Sequence, residues 1–232
     1  MITGSVDFQS AHVFGFVTGV LCGMPQYVWS QHHNFHHATN GNWSKYTGPL
    51  GTISVDTFAR LSPWQQKRYQ ILRNILFTLP GAFLYFILNP RLNWMLGSLR
   101  FLHHLIRTKL RQPGMSMTTI AREFKSPYWK SGAEYWHMSG NNVVLLSLWW
   151  VGSVHFGAAA FFSVYLTSLT LGGAVGIIIF SIQHNFESSY ASNDAHWDYY
   201  RGALEGTSFL RLPGILNWFS ADIAYHHVHH LS

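Results

Sequence analysis

Two short stretches rich in histidine carry most of the chemistry that this sequence can perform. Each contains the pattern H-x-x-H-H, once in QHHNFHHATN near the start of the chain and once in YHHVHH near its end. The two sets are the N-terminal triplet, His33, His36 and His37, and the C-terminal triplet, His226, His229 and His230. Because positions i, i+3 and i+4 share one face of a helix, each triplet is predicted to point three imidazoles the same way, as a metal site requires.

A third histidine element, QHNFE, places His184 at the end of the longest apolar segment. Together with the triplets it gives seven candidate ligands, more than the four that one zinc ion takes, so the pattern favours two metal ions close together. Imidazole suits iron, copper, nickel and zinc alike, which leaves the metal open at this point. No carboxylate interrupts the triplets, unlike the ligand sets of carboxylate-rich soluble di-iron bundles. The single cysteine, Cys22, excludes a thiolate cluster.

The composition is that of a membrane protein with polar segments exposed to water. Only 10% of the 232 residues are charged, against about 25% in soluble domains, and residues 135–186 include no Asp, Glu, Lys or Arg. The formal net charge is +6, and eight of the fifteen basic residues lie between Arg91 and Lys130, beside apolar segments. A cytoplasmic loop that faces lipid headgroups explains this distribution, so nucleic acid is not expected as a partner.

The elements that must position the histidines are predicted to be helices, because strand signals are weak throughout. Four apolar segments stand out: Val13–Trp29, Ile75–Leu88, Asn141–Phe156 and Ala158–Ile182. A transmembrane helix needs about 20 apolar residues, and only the last segment satisfies this alone. Ser62-Pro63 predicts the start of a further helix, with serine as the cap. The predicted fold class is an all-α integral membrane protein.

The number of membrane crossings is left open by the sequence. If the histidines share one side of the membrane, the chain between His37 and His184 crosses it an even number of times. Three apolar segments lie in this interval, so one of them does not span. The segment that fails to cross is either Ile75–Leu88 or Asn141–Phe156.

The histidine motifs resemble those of a known family. HNFHH, QHNFE and HHVHH resemble the second histidine box, the intervening histidine and the third histidine box of the membrane fatty acid desaturases. The stretch HWDYYRGALEGTSFLRLPGILNWFSADIAYHHVHHLS resembles the bacterial and plastid branch that acts at delta-12 or omega-6 positions. The resemblance covers most of the chain and is weakest over residues 91–130. It implies one desaturase domain over residues 1–232, with transmembrane helices and a cytoplasmic helical cap that carries the histidine boxes.

The resemblance also implies a site. It would be a non-haem di-iron centre, with two iron ions and O₂ as co-substrate, at the cytoplasmic face of the bacterial inner membrane. The implied iron ligands are His33, His36, His37, His184, His226, His229 and His230. No further catalytic residue is predicted. Acceptors for the outward ring N–H groups are sought among Glu187, Asp194, Asp198 and Asp222.

The implied partners follow from the same resemblance. The substrate would be a fatty acyl lipid or an acyl chain on a carrier, and membrane lipid would surround the protein. A separate electron donor of the ferredoxin, rubredoxin or cytochrome b5 type is expected, since the sequence has no fused electron-transfer domain.

One departure from the family pattern affects these expectations. The family carries a first box, H-D-x-x-H, farther ahead of the second box than this chain extends before His33. His12 does not form such a box, because no second histidine lies four positions from it in the sequence. We therefore expect a chain truncated at the N-terminus, and also at the C-terminus, which binds metal weakly and shows no desaturation by itself. A catalytically dead fragment is one alternative.

Two other functions remain open at this stage. A related membrane di-iron hydroxylase or ketolase would share the boxes, although QHNFE and WDYYRGALEG favour desaturation. A haem-binding membrane protein would use His155 and His184, which leaves both triplets unexplained. The di-iron hypothesis predicts that the seven side chains lie within about 10 Å, since paired metals are about 3.5–4 Å apart. It also predicts depressed histidine pKa values, because each protonated neighbour disfavours the next.

Overall fold

The computed structural model describes residues 8–45 and 53–231, and its regular structure within these ranges is helical. Helices account for 71% of the described residues, so the predicted all-helical class is confirmed. In chain order they are α1 (Phe8–Leu21), α2 (Gln26–Thr39), α3 (Val55–Ala59), α4 (Pro63–Leu72), α5 (Ile75–Phe83), α6 (Asn89–Arg111), α7 (Met117–Glu123), α8 (Gly132–Phe156), α9 (Ala158–His184), α10 (Tyr199–Leu204), α11 (Gly214–Phe219) and α12 (His226–His229). A π-helical stretch, Leu84–Leu88, joins α5 to α6.

The chain divides into two compact units. The first comprises residues 1–29 and 83–169, and the second comprises residues 30–82 and 170–232. Both histidine triplets and His184 belong to the second unit, so the site can be described within one unit.

The first unit is held together by polar contacts and close packing between its long helices. Arg91 on α6 donates a hydrogen bond to the Asn141 side chain on α8 at 2.9 Å, and Trp94 donates to Ser139 at 3.2 Å. Gly97 lies against the Trp129 ring, where a Cβ atom would collide with it. The two hydrogen bonds join the basic helix α6 to the apolar helix α8, and the contact of Gly97 with Trp129 joins α6 to the segment that precedes α8.

One described helix, α9, is both long enough and apolar enough to cross a membrane. It follows Gly157, whose φ of 78° lies in the left-handed region that glycine adopts without strain. The segment Asn141–Phe156 forms the second part of α8, and Ile75–Leu88 is divided between α5 and the π-helical stretch. Which of these two segments spans therefore stays a prediction.

The predicted helix start at Ser62 is confirmed. The Ser62 hydroxyl accepts from the Gln65 backbone N–H, and the Gln65 side chain accepts from the Ser62 backbone N–H. This reciprocal capping box opens α4, with Pro63 at the first helical position.

Candidate metal centre

Helix α2 presents the N-terminal triplet. It begins just after Pro25 and ends at Thr39, whose hydroxyl donates to the Phe35 carbonyl at 2.7 Å. His33 and His37, four residues apart, bring their Nε2 atoms to 3.0 Å. His36 is buried, so the three rings leave the helix on its inner side.

The C-terminal triplet and His184 come from two other elements. His184 is the last residue of α9 and is buried. The C-terminal triplet lies on the short helix α12 and its cap, His230. Ala221 and Asp222, with φ values of 51° and 57°, form the left-handed turn that leads the chain into α12.

The seven rings form one connected cluster with two groups of ligand atoms. The buried group is His36, His184, His226 and His230, and the outer group is His33, His37 and His229. Within each group the ligand atoms all lie within 4.8 Å of one another. Every ring centroid lies within 6.1 Å of at least three others. The structure thus brings together all seven predicted histidines.

The three Nε2 atoms of the outer group form a nearly equilateral triangle. The Nε2 of His33 lies 3.1 Å from that of His229 and 3.0 Å from that of His37, and His37 and His229 are 3.1 Å apart. In neutral imidazoles each Nε2 is a donor or an acceptor. At least two of the three atoms therefore share the same role and cannot bond to each other. A metal ion accepts all three lone pairs, so this arrangement fits a metal.

The buried group gives the same indication. The Nε2 of His184 lies 2.8 Å from that of His226 and 3.1 Å from that of His36. His230 is 0% exposed, and neither of its ring nitrogens has a hydrogen-bond partner among the described residues. A buried polar group without a partner costs about 1–3 kcal/mol. A metal ion bound to a ring nitrogen would remove part of this cost, so the buried group also fits a metal.

Burial keeps these imidazoles neutral. It lowers the pKa of His36 and His226 to about 3 and that of His33 and His37 to about 4, with smaller contributions from neighbouring histidine charges. The pKa of His230 is lowered by the same causes. The predicted depression is confirmed, but loss of solvation is its larger cause. Lone pairs are therefore available for metal at neutral pH.

A backbone carbonyl orients His184. Its Nδ1 lies 3.3 Å from the Gly206 carbonyl oxygen, so Nδ1–H donates there and Nε2 keeps its lone pair for the cluster. The adjacent Gln183 is buried and donates to the Ile223 carbonyl at 2.6 Å, and its own carbonyl accepts from the Ser208 N–H at 2.9 Å. These contacts attach the end of α9 to the segment that precedes the C-terminal triplet.

Comparison with known proteins agrees with this geometry. A family model described as fatty acid desaturase matches residues 8–232. The chain belongs to the fatty acid desaturase family. A fatty acid desaturase of Bacillus subtilis (strain 168) is 30% identical over 222 residues, which cover 95% of this chain and 54% of that protein. This chain thus spans about half the length of that relative. A comparison of this chain with solved structures found no match.

The resemblance read from the histidine motifs is therefore confirmed at the level of the desaturase family. The delta-12 or omega-6 branch, the metal and the reaction stay predictions.

In this chain the four predicted carboxylates occupy other places. All four residues are exposed. Asp194 accepts from the Asn42 side chain at 2.8 Å and pairs with Lys45 at 3.2 Å, which lowers its pKa. Asp198 caps α10 by accepting from the Arg201 N–H.

Glu187 and Asp222 are likewise exposed at the surface. For His184 the acceptor of the outward ring N–H is the Gly206 carbonyl rather than a carboxylate. For the other ligands, a role of these four carboxylates stays a prediction.

Around the Gly206 carbonyl lie residues that the sequence analysis did not identify as candidates. Asn40 is buried and donates to the carbonyls of Gly202 at 2.6 Å and Gly206 at 3.2 Å. A cavity of about 110 Å³ lies beside His184 and is also lined by Asn40 and Tyr190. The stretches HHATNGN and RGALEG contain Asn40, Gly202 and Gly206, but nothing in the sequence relates one stretch to the other.

Proposed function

We propose that this protein desaturates fatty acyl chains at a histidine-ligated non-haem di-iron centre, with one iron in the buried group and one in the outer group. The observation that carries the proposal is the convergence of seven neutral imidazoles in two groups within a chain of the fatty acid desaturase family. An acyl desaturase needs a metal centre able to use O₂. This cluster supplies the donors for two metal ions and includes no competing thiolate or carboxylate among the described residues.

The two groups differ in a way that suits this chemistry. All four residues of the buried group are buried, whereas the three of the outer group are half-buried. Three protein ligands leave coordination positions for other molecules, as catalytic metal sites do. We therefore propose that small molecules reach the metal pair from the side of the outer group. When bound, the iron pair would activate O₂, so that two hydrogens leave the acyl chain while two external electrons and two protons complete the reduction of O₂ to water.

The protein's own residues would prepare the site in three ways. Their lowered pKa values leave His33 and His36 neutral at pH 7, so metal binding releases no proton from them. The Gly206 carbonyl fixes the tautomer of His184. Burial of His230 excludes water from its ring and raises the cost of leaving the site without metal.

Substrate, partner and location are part of the same proposal. The substrate class is a fatty acyl chain on a glycerolipid or an acyl carrier, and a separate ferredoxin, rubredoxin or cytochrome b5 type donor supplies the electrons. We place the histidine cluster at the cytoplasmic face of the inner membrane. The apolar helix α9, which ends at His184, supports a membrane location. The chain covers 54% of the Bacillus relative. The expectation that the chain by itself binds metal weakly and shows no desaturation therefore stays open, and the experiment below tests it against the activity proposed here.

The test is lipid analysis of a bacterial host that expresses this chain, with a His230→Leu strain as control. The proposal expects acyl chains with an additional double bond that depend on O₂ and are missing in the control strain. Hydroxylated or keto products would instead indicate oxygen insertion on the same scaffold. A Soret absorption band in the purified protein would identify a haem protein and contradict the proposal.

A further inference from the structure

Asn40 lies at a junction between α2, which carries the N-terminal triplet, and the end of α10, where the Gly206 carbonyl contacts His184. It follows α2 directly, three residues after His37 and four after His36. Its side chain reaches the other element through two hydrogen bonds, to Gly202 and Gly206. Its carbonyl accepts from the Trp197 indole N–H at 2.8 Å. Asn40 thus fixes the end of α2 against Gly202 and Gly206, and the carbonyl of Gly206 contacts His184.

The Gly206 carbonyl connects Asn40 to the cluster. It receives the Asn40 amide at 3.2 Å and lies 3.3 Å from Nδ1 of His184. A carbonyl oxygen has two lone pairs, so it can accept both hydrogen bonds. Because the Nδ1 partner of a histidine determines which nitrogen faces the metal, the position of this oxygen controls the Nε2 of His184.

The surrounding backbone is shaped around the amide. A Cβ atom on Gly202 would collide with the Asn40 carbonyl oxygen, and one on Gly206 would collide with the Gly202 carbonyl oxygen and lie 3.1 Å from Nδ2 of Asn40. The two glycines therefore permit an approach that other residues would prevent. Asn40 is 3% exposed, so water does not compete for its hydrogen bonds.

We propose that Asn40 is a positioning residue of the candidate metal centre, which holds the Gly206 carbonyl so that His184 directs Nε2 into the buried group. The inference rests on the proposed function for its metal, and on the structure alone for the hydrogen-bond geometry. Removal of the amide leaves the carbonyl of Gly206 without its second donor. The His184 ring then has two tautomers available and a less fixed orientation.

The experiment measures Co²⁺ binding to the full chain by its visible absorption, for the wild type, Asn40→Ala and Asn40→Asp. Groups that orient a metal ligand typically contribute 10- to 100-fold to metal affinity, so both variants are expected to lose affinity in this range. Asn40→Asp keeps the size of the side chain and replaces the donor by a carboxylate oxygen, which cannot donate to the Gly206 carbonyl and repels it, so it carries the test if Asn40→Ala does not fold.

Asn42→Ala is the matched control. Asn42 is also buried and lies on the same turn, but its side chain contacts Asp194 and the backbone of Ser44 and Lys45. We expect its Co²⁺ affinity to stay within about twofold of the wild type, because it does not touch the Gly206 carbonyl. Equal losses in the Asn40 and Asn42 variants, or an Asn40 variant that binds Co²⁺ as tightly as the wild type, would overturn the inference.

A second readout separates this inference from the proposed function. In the metal-free protein, ¹⁵N NMR of labelled histidine, assigned by loss of signal in His184→Asn, reports which ring nitrogen of His184 carries the proton. The expected result is a proton on Nδ1 in the wild type and a mixture of tautomers in the Asn40 variants. A wild type that binds no Co²⁺ would contradict the di-metal function, whereas an unchanged tautomer in the Asn40 variants would contradict the positioning role.

Discussion

His230→Leu should have opposite effects on the metal-free and the metal-loaded protein. His230 is fully buried, and both of its ring nitrogens lack a hydrogen-bond partner among the residues that the structure describes. Leucine has a similar size and no polar atoms to leave unpaired. Since an unpaired buried polar group costs about 1–3 kcal/mol, the variant should stabilise the metal-free protein by about that amount. At roughly 2–4 °C per kcal/mol for a chain of this size, the melting temperature should rise by several degrees.

The same substitution removes a ligand of the buried group. A metal that binds the folded state alone stabilises it by about 4 kcal/mol at a thousand times its dissociation constant. The variant should therefore lose most of the stabilisation that added Fe²⁺ or Co²⁺ gives the wild type. Thermal unfolding followed by tryptophan fluorescence in detergent, with and without metal, measures both effects.

The neighbouring His227 offers a control on the same short helix. It lies outside both groups of ligand atoms, with its ring 6.5 Å from that of Phe209. His227→Leu should leave the response to metal unchanged. If His230→Leu lowers the melting temperature without metal, or responds to metal as the wild type does, the reasoning from unpaired nitrogens to a metal site is refuted.

Two further predictions concern protons and packing. The pKa values of His36, about 3, and His33, about 4, lie below the unfolded value of about 6.5, so the unfolded chain binds more protons between these limits. The contribution of these neutral histidines to the free energy of unfolding of the metal-free protein should be fully present above about pH 6.5 and should decrease as the pH falls towards 4. A melting temperature that rises on acidification from pH 7 to 5 would contradict this. Gly202→Ala should destabilise the protein by about 1–3 kcal/mol because its Cβ collides with the Asn40 carbonyl, whereas Gly214→Ala, with open space around it, should not; equal melting temperatures would contradict the packing argument.

The arrangement of the histidines could be predicted because it depends on helix periodicity. The H-x-x-H-H spacing places three rings on one side of a helix, and α2 presents the N-terminal triplet in that way. The start of α4 at Ser62 was predictable for a similar reason, since the cap and the residue it bonds are three positions apart. Both signals are local.

The surroundings of the cluster could not be predicted, because they rest on contacts between distant parts of the chain. Asn40 meets Gly202 across 162 residues. The group that accepts from His184 is a backbone carbonyl, which every residue has, so the sequence offered no signal and the prediction turned to carboxylates. Burial is the largest cause of the lowered pKa of His36. The sequence could not predict this, since residue spacing indicates which charges are neighbours but not how much solvent a side chain loses.

The most direct test of the central claim is the metal content of the purified chain after anaerobic loading with Fe²⁺. Elemental analysis combined with Mössbauer spectroscopy would count the bound iron and report whether its ligands are nitrogen. We predict two non-haem iron ions per chain, and a loss of bound iron in His230→Leu that His227→Leu does not show. A chain that binds no iron, that binds haem, or that keeps its full iron content in His230→Leu would contradict the account.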